Sequence, residues 1–320
     1  MATVDPAPKK SFAEKLQSIP KPVLFLVLFV FTAVPLFFPV PLPNKPIDAS
    51  IDLYVNLMKL PEGSKVLVES DWTNSTRGES MGEMEALVRI LMRKKIRFAV
   101  YTIADPQAPQ VSRDTIRHVA DDEAKNGQYR YKPFVDYVNL GYYPNGEGTA
   151  SAINNKFLSI CQGKKDYPEG SPPKDVMQSP VLQGVKSVAD FQYVILVTAS
   201  STNTVVLERI TKAPLMFMVT GVMVPENTTY YASGQLKGLC GGVKGVYDLE
   251  TMMQDGVNNP GPHEVVSEKD PGKYPGFPGL TNQGKGTLYF PSLHFALFLL
   301  ILAVIIGNVG MFLSKKGGAR

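Results

Sequence analysis

Two apolar runs near the ends of the chain constrain what can fold between them. Val23 to Phe38 is an almost unbroken series of Val, Leu and Phe, and the apolar character continues to Leu42. A bilayer core needs about 20 helical residues, so residues 23–42 read as a transmembrane helix whose last turns are kinked by Pro35, Pro39 and Pro41. A cleaved signal peptide is the alternative. The long basic front, the lack of a small-x-small cleavage site and the proline-rich exit favour an uncleaved anchor. Residues 290–313 form the second expected span, with Gly307, Asn308 and Gly310 in its second half.

Charge sets the expected orientation. Residues 1–22 carry four Lys against two acids, and residues 314–320 carry Lys315, Lys316 and Arg320 with no acid. The net charge of +4 therefore belongs to the tails, and the rest of the chain is close to neutral. Basic flanks stay cytoplasmic while long loops translocate largely regardless of charge. The expectation is an integral membrane protein with two spans as its contact with the lipid bilayer, both termini cytoplasmic (1–22 and 314–320) and the main domain extracytoplasmic. A near-neutral domain also excludes a basic nucleic-acid surface.

Between the spans, residues 43–255 alternate strand and helix signals. Asp48 is a candidate cap for a helix with Ile51, Tyr54, Leu57 and Met58 on its apolar face. Strands are expected at Lys65–Glu69, Arg97–Ile103, Phe134–Leu140, Phe191–Thr198 and Leu215–Val222, with helices between them and a long final helix over about 229–254. Strands apolar on both faces and alternating with helices predict an α/β domain, a doubly wound, mostly parallel sheet of about five strands, Rossmann-like or flavodoxin-like. Residues 256–287 hold seven Gly and five Pro and read as a spacer back to the membrane.

In such a sheet ligands bind beyond the carboxyl ends of the strands, where strand order reverses. The candidate ligand-binding residues are therefore Asp71, Thr73 and Ser75 after the first strand, Asp105 after the second, Gly146 and Gly148 after the third, and Thr198 after the fourth. Asp71-x-Thr73-x-Ser75 resembles the Asp-x-Ser-x-Ser element of von Willebrand A-type domains, and the resemblance implies oxygen ligands for Mg²⁺. It covers five residues, and Thr198-Ala199-Ser200 stands where those domains carry a further Asp. Capping and turn chemistry is the competing reading. The same loop is loosely similar to the aspartate motif of haloacid-dehalogenase-type phosphotransferases, with Glu69 at the nucleophile position. Gly141 to Thr149 leads into a helix but matches neither the phosphate-loop nor the GxGxxG pattern. No cofactor is otherwise expected.

Gly234, Gly238, Gly241 and Gly245 recur at spacings of 4, 3 and 4, which would put four glycines on one face of a helix. Such a face implies close packing on the sheet or a contact with a protein partner or second copy; alternatively Gly241-Gly242 breaks the helix. Cys161 and Cys240 are a candidate disulfide in an oxidising compartment, or two buried thiols. His118, His263 and His294 are far apart, and HExxH, GxSxG, Walker A and CxxC are missing.

The layout of a Rossmann-like domain between two spans, with the lead-in Leu60 to Val68, resembles the extracytoplasmic parts of auxiliary subunits of bacterial gliding-type ABC transporters. The expected function is that of a membrane-anchored accessory or binding protein. The alternative is an anchored hydrolase or transferase, or a metal-dependent binding module, using Glu69 and Asp71.

Overall fold

Residues 18–38, 40, 42–258 and 273–317 are described by the computed structural model. They fall into two units: Pro43–Gly286 is one, and the apolar helices outside it form the other. The apolar unit contains α1 (Lys21–Phe37) and most of α9 (Lys285–Gly317). The Lys285–Lys315 part of α9 has a mean hydropathy of 2.6 and is long and apolar enough to cross a bilayer. At 17 residues, α1 is shorter than the roughly 20 that a span requires.

The larger unit is a three-layer α/β/α sandwich. Its elements are α2 (Asp48–Met58), β1 (Lys65–Asp71), α3 (Arg77–Arg93), β2 (Arg97–Thr102), α4 (Ala108–Lys125), β3 (Tyr137–Tyr142), α5 (Gly146–Cys161), the short hairpin β4 (Lys165–Asp166) and β5 (Lys174–Asp175), β6 (Val194–Thr198), α6 (Thr202–Arg209), β7 (Leu215–Val219), α7 (Val224–Ala232), β8 (Leu236–Gly241) and α8 (Gly242–Asp255). Six strands form one sheet in the order β3-β2-β1-β6-β7-β8, every neighbouring pair parallel. This is the Rossmann order rather than the flavodoxin one, and it puts the reversal between β1 and β6.

Alternation along the strands feeds two cores. Val66, Val68, Phe98, Val100, Ile195 and Met218 pack beneath α2, α3, α4 and α8. Leu67, Ala99, Val138, Leu196 and Phe217 pack on the other face with α5 and α6.

The expected final helix over 229–254 is instead α7, β8 and α8, so the sheet has six strands rather than five. The four glycines do not share a helix face. Gly234 is a turn residue at φ +78°, Gly238 and Gly241 are in β8, and Gly245 is in α8. Each of the last three permits a close approach. A Cβ on Gly238 would lie 2.5 Å from Leu53 Cα, one on Gly241 2.2 Å from Val224 Cγ2, and one on Gly245 2.7 Å from Cys240 Sγ. Cys161 and Cys240 are free and buried, in cores on opposite faces of the sheet, so they form no disulfide. Ile47, not Asp48, occupies the N-cap of α2.

The Gly/Pro-rich segment is also more than a spacer. β9 (Val257–Asn258) pairs antiparallel with β10 (Lys273–Tyr274), and residues 273–286 belong to the α/β unit. Phe277 N–H donates to Met253 O over 2.6 Å, and Asn282, 2% exposed, donates to Gln254 Oε1 over 2.7 Å. Few apolar residues are needed because polar groups of α3 and α8 supply the partners. Residues 259–272 lie outside the described ones.

Candidate functional site

The carboxyl ends of β1 and β6 carry the polar residues that the topology singles out. Side chains at 67, 69 and 71 face the α5–α6 side, while Ser70 and Trp72 face α3 and α4. Asp71, 2% exposed, ties β1 to the end of β2: its Oδ1 accepts from Thr102 Oγ1 (2.5 Å), Ile103 N (2.9 Å) and Ala104 N (3.3 Å). Thr73 and Ser75 bond to each other through their hydroxyls (2.9 Å), with Ser75 exposed. The carboxylate is thus spent on the strand ends, and this geometry does not offer a hard cation the Asp and both hydroxyls together. Among the described residues no group of three His, Cys, Asp or Glu side chains could hold a metal ion.

Glu69 lies one pleat deeper, fully buried, and accepts from the Tyr101 hydroxyl. Treated as ionised, both Glu69 Oε1 and Asp71 Oδ2 are buried without a partner. A single proton satisfies both atoms, because Glu69 in its acid form hydrogen-bonds to Asp71. Burial, with the Asp71 charge adding to it, pushes the Glu69 carboxyl well above the usual range, so the acid form is the resident one. The native state then holds a proton that the unfolded chain releases, and stability should fall as pH rises above the ordinary carboxylate value towards that of Glu69. The slope is about 1.4 kcal/mol per pH unit for one proton. Glu69→Gln, which mimics the acid form, should remove this proton's share of the slope while remaining folded and leave the share of Glu83, whose carboxyl burial also raises; urea unfolding at a series of pH values above the ordinary carboxylate value measures it.

The other candidates are dispersed around the same end of the sheet. Thr198 Oγ1 contacts Ser200 Oγ (3.2 Å) and Thr202 Oγ1 (3.1 Å) and donates to Asp71 O (3.3 Å), so hydroxyls line the reversal point. Asp105 Oδ1 accepts from Gln107 N (2.7 Å) in a turn that leads into α4. Gly146 and Gly148 open α5, whose N-terminus is capped by Asn145 at φ +61°. A Cβ on Gly148 would lie 2.7 Å from Asn145 Nδ2, so a side chain there would displace the capping amide.

A cleft of about 460 Å³ opens on the other face, at the carboxyl ends of β1 and β2 between the first turns of α3 and α4. Trp72, Asn74, Arg77, Gln107, Gln110 and Asp114 line it, with Met81 and Val111 as its apolar part. The volume falls in the range of small-molecule sites, roughly 300–1,000 Å³. No known protein family, characterised protein or solved structure matches the chain. The site therefore has to be read from its own chemistry.

The α4 wall is what sequence reasoning missed. A helix read from the sequence over Ser112 to Lys125 leaves out Gln107 and Gln110. Yet α4 starts at Ala108, and a proline in the first turn of a helix removes an N–H that has no intrahelical partner anyway. The spacing of Gln107, Gln110, Val111 and Asp114 was the available signal.

Proposed function

We propose that this protein is a membrane-anchored accessory or binding protein whose α/β domain engages a partner subunit or a small ligand at the carboxyl ends of its strands. The observation that carries this reading is the cleft beside β1 and β2. Its walls offer amides, an indole, a guanidinium and the Asp114 carboxylate, which Gln110 and Arg117 already engage, a set of groups suited to holding a ligand. In this reading α1 with its flanking residues and α9 are both anchors. The basic flanks, Lys9, Lys10, Lys15 and Lys21 at one end and Lys315, Lys316 and Arg320 at the other, keep both termini in the cytoplasm and the domain outside. The hydrolase or transferase alternative would draw on Glu69 and Asp71, but a shared proton and the end of β2 already occupy those carboxyls.

Native mass spectrometry of the tagged protein, extracted in mild detergent from its own cells, tests the proposal. A heteromeric mass or a retained small ligand is the expected result. A bare monomer or homo-oligomer would count against it.

A further inference from the structure

We infer that the cleft between α3 and α4 binds a small oxyanion, the phosphate or carboxylate head of its ligand. This rests on the reading of the cleft as a binding site and adds the class of ligand. Four observations carry it.

The first is an uncapped helix start. Thr76 holds the N-cap position of the 17-residue α3 without capping it, because its hydroxyl bonds to Thr73 O (3.3 Å). The N–H groups of Arg77, Gly78 and Glu79 have no intrahelical acceptor, and the helix dipole leaves this end positive. A Cβ on Gly78 would meet nothing within 4 Å, so the turn is open. The second is Arg77, exposed at that start and forming no ion pair among the described residues; its Nη2 lies 3.6 Å from Met81 Sδ. Arginine's planar fork suits carboxylate and phosphate.

The third observation is independent of the helix. Trp72 forms part of the cleft wall, is 2% exposed, and its Nε1–H has no acceptor. A buried N–H without a partner is costly, and an oxyanion drawn into the cleft is the kind of acceptor it lacks. The fourth is that the nearby acids are already engaged. Glu79 Oε2 accepts from Gly221 N (2.7 Å), and Asp114 accepts from Arg117 (3.1 Å) and Gln110 (3.0 Å). The wall therefore sets Arg77, a cation without an ion pair among the described residues, against the single carboxylate of Asp114, which Gln110 and Arg117 already engage.

The protein carries its own reporter, since Trp72 is the single tryptophan of the chain. The full-length protein in phosphatidylcholine nanodiscs would be titrated with inorganic phosphate, glycerol phosphate, acetate and glucose while Trp72 emission is recorded. The expected result is a saturable change with phosphate, its ester or acetate and none with glucose. Arg77→Gln should weaken the apparent affinity about tenfold or more, the scale of one charge-assisted hydrogen bond, while its unfolding transition stays that of the unsubstituted protein. Nanodiscs containing phosphatidylglycerol separate the sources. Emission already shifted there, and insensitive to added phosphate, assigns the oxyanion to a lipid headgroup; emission that still responds assigns it to a soluble ligand. A response to glucose without one to the anions, or an anion response that Arg77→Gln leaves intact, overturns the oxyanion assignment but keeps the cleft as a binding site. Silence towards every probe overturns both.

Discussion

Glu123→Ala should lower the stability of the α/β unit by about 3–5 kcal/mol, the cost of removing one partner from a buried ion pair. Glu123 on α4 receives Arg93 of α3 through two bonds, Nε to Oε2 at 2.8 Å and Nη2 to Oε1 at 2.9 Å, with both side chains 1% exposed. Arg89 Nε also sits 3.2 Å from Oε1, close enough for attraction but too poorly aligned for a hydrogen bond. Removing the carboxylate would leave the buried Arg93 guanidinium without its ion-pair partner and take one of two nearby anions from Arg89, the other being Glu85. Arg93 also holds the returning segment, through Asn282 Oδ1 and through Thr281 O at 2.9 Å, so its loss of position should loosen residues 273–286 as well. Thermal unfolding followed by Trp72 emission should show a midpoint lower by about 6–20 °C, at roughly 2–4 °C per kcal/mol for a unit of this size. A shift of a degree or two would mean that water reaches the pair in the folded protein.

Gly238→Ala is expected to be of similar severity, about 3 kcal/mol or more, at or beyond the upper end of ordinary overpacking. The added Cβ would lie 2.5 Å from Leu53 Cα and 2.7 Å from Leu53 N. These are backbone atoms of α2, so no rotamer change relieves the clash. Either the helix lifts off β8 or the strand shifts in the sheet, and both break Asn56 Nδ2 to Lys237 O at 2.8 Å. Gly234→Asn is the matching control. Gly234 has φ +78° and open space around a Cβ, and Asn tolerates the left-handed region. The pair of unfolding midpoints should differ sharply, with Gly234→Asn close to the unsubstituted protein. Equal responses would mean that the four glycines act as one packing face after all.

Those glycines illustrate where local reading ends. A period of 4, 3 and 4 is what a helix face would produce, yet Leu236–Gly241 is a strand because the edge of β7 is available to it and α2 covers it. It lacks the β-branched residues that mark β1 and β6, and neighbours in sequence contain no trace of Leu53. The returning segment was missed for the same reason. Its composition is that of a linker, but Arg93, Met253 and Gln254 supply bonds that no count of Gly and Pro can register.

By itself the sequence determined the apolar ends of the chain, the near-neutral domain between them, the parallel α/β class, and the positions of the first five strands of the sheet. Each of these follows from hydrophobic period and charge, properties that residues express towards any partner. Only the tertiary structure decided the sixth strand, the β1–β6 reversal, the proton shared by Glu69 and Asp71, and the far wall of the cleft. Those depend on which surfaces meet. A carboxyl becomes an acid, and a glycine indispensable, only when another element is pressed against it.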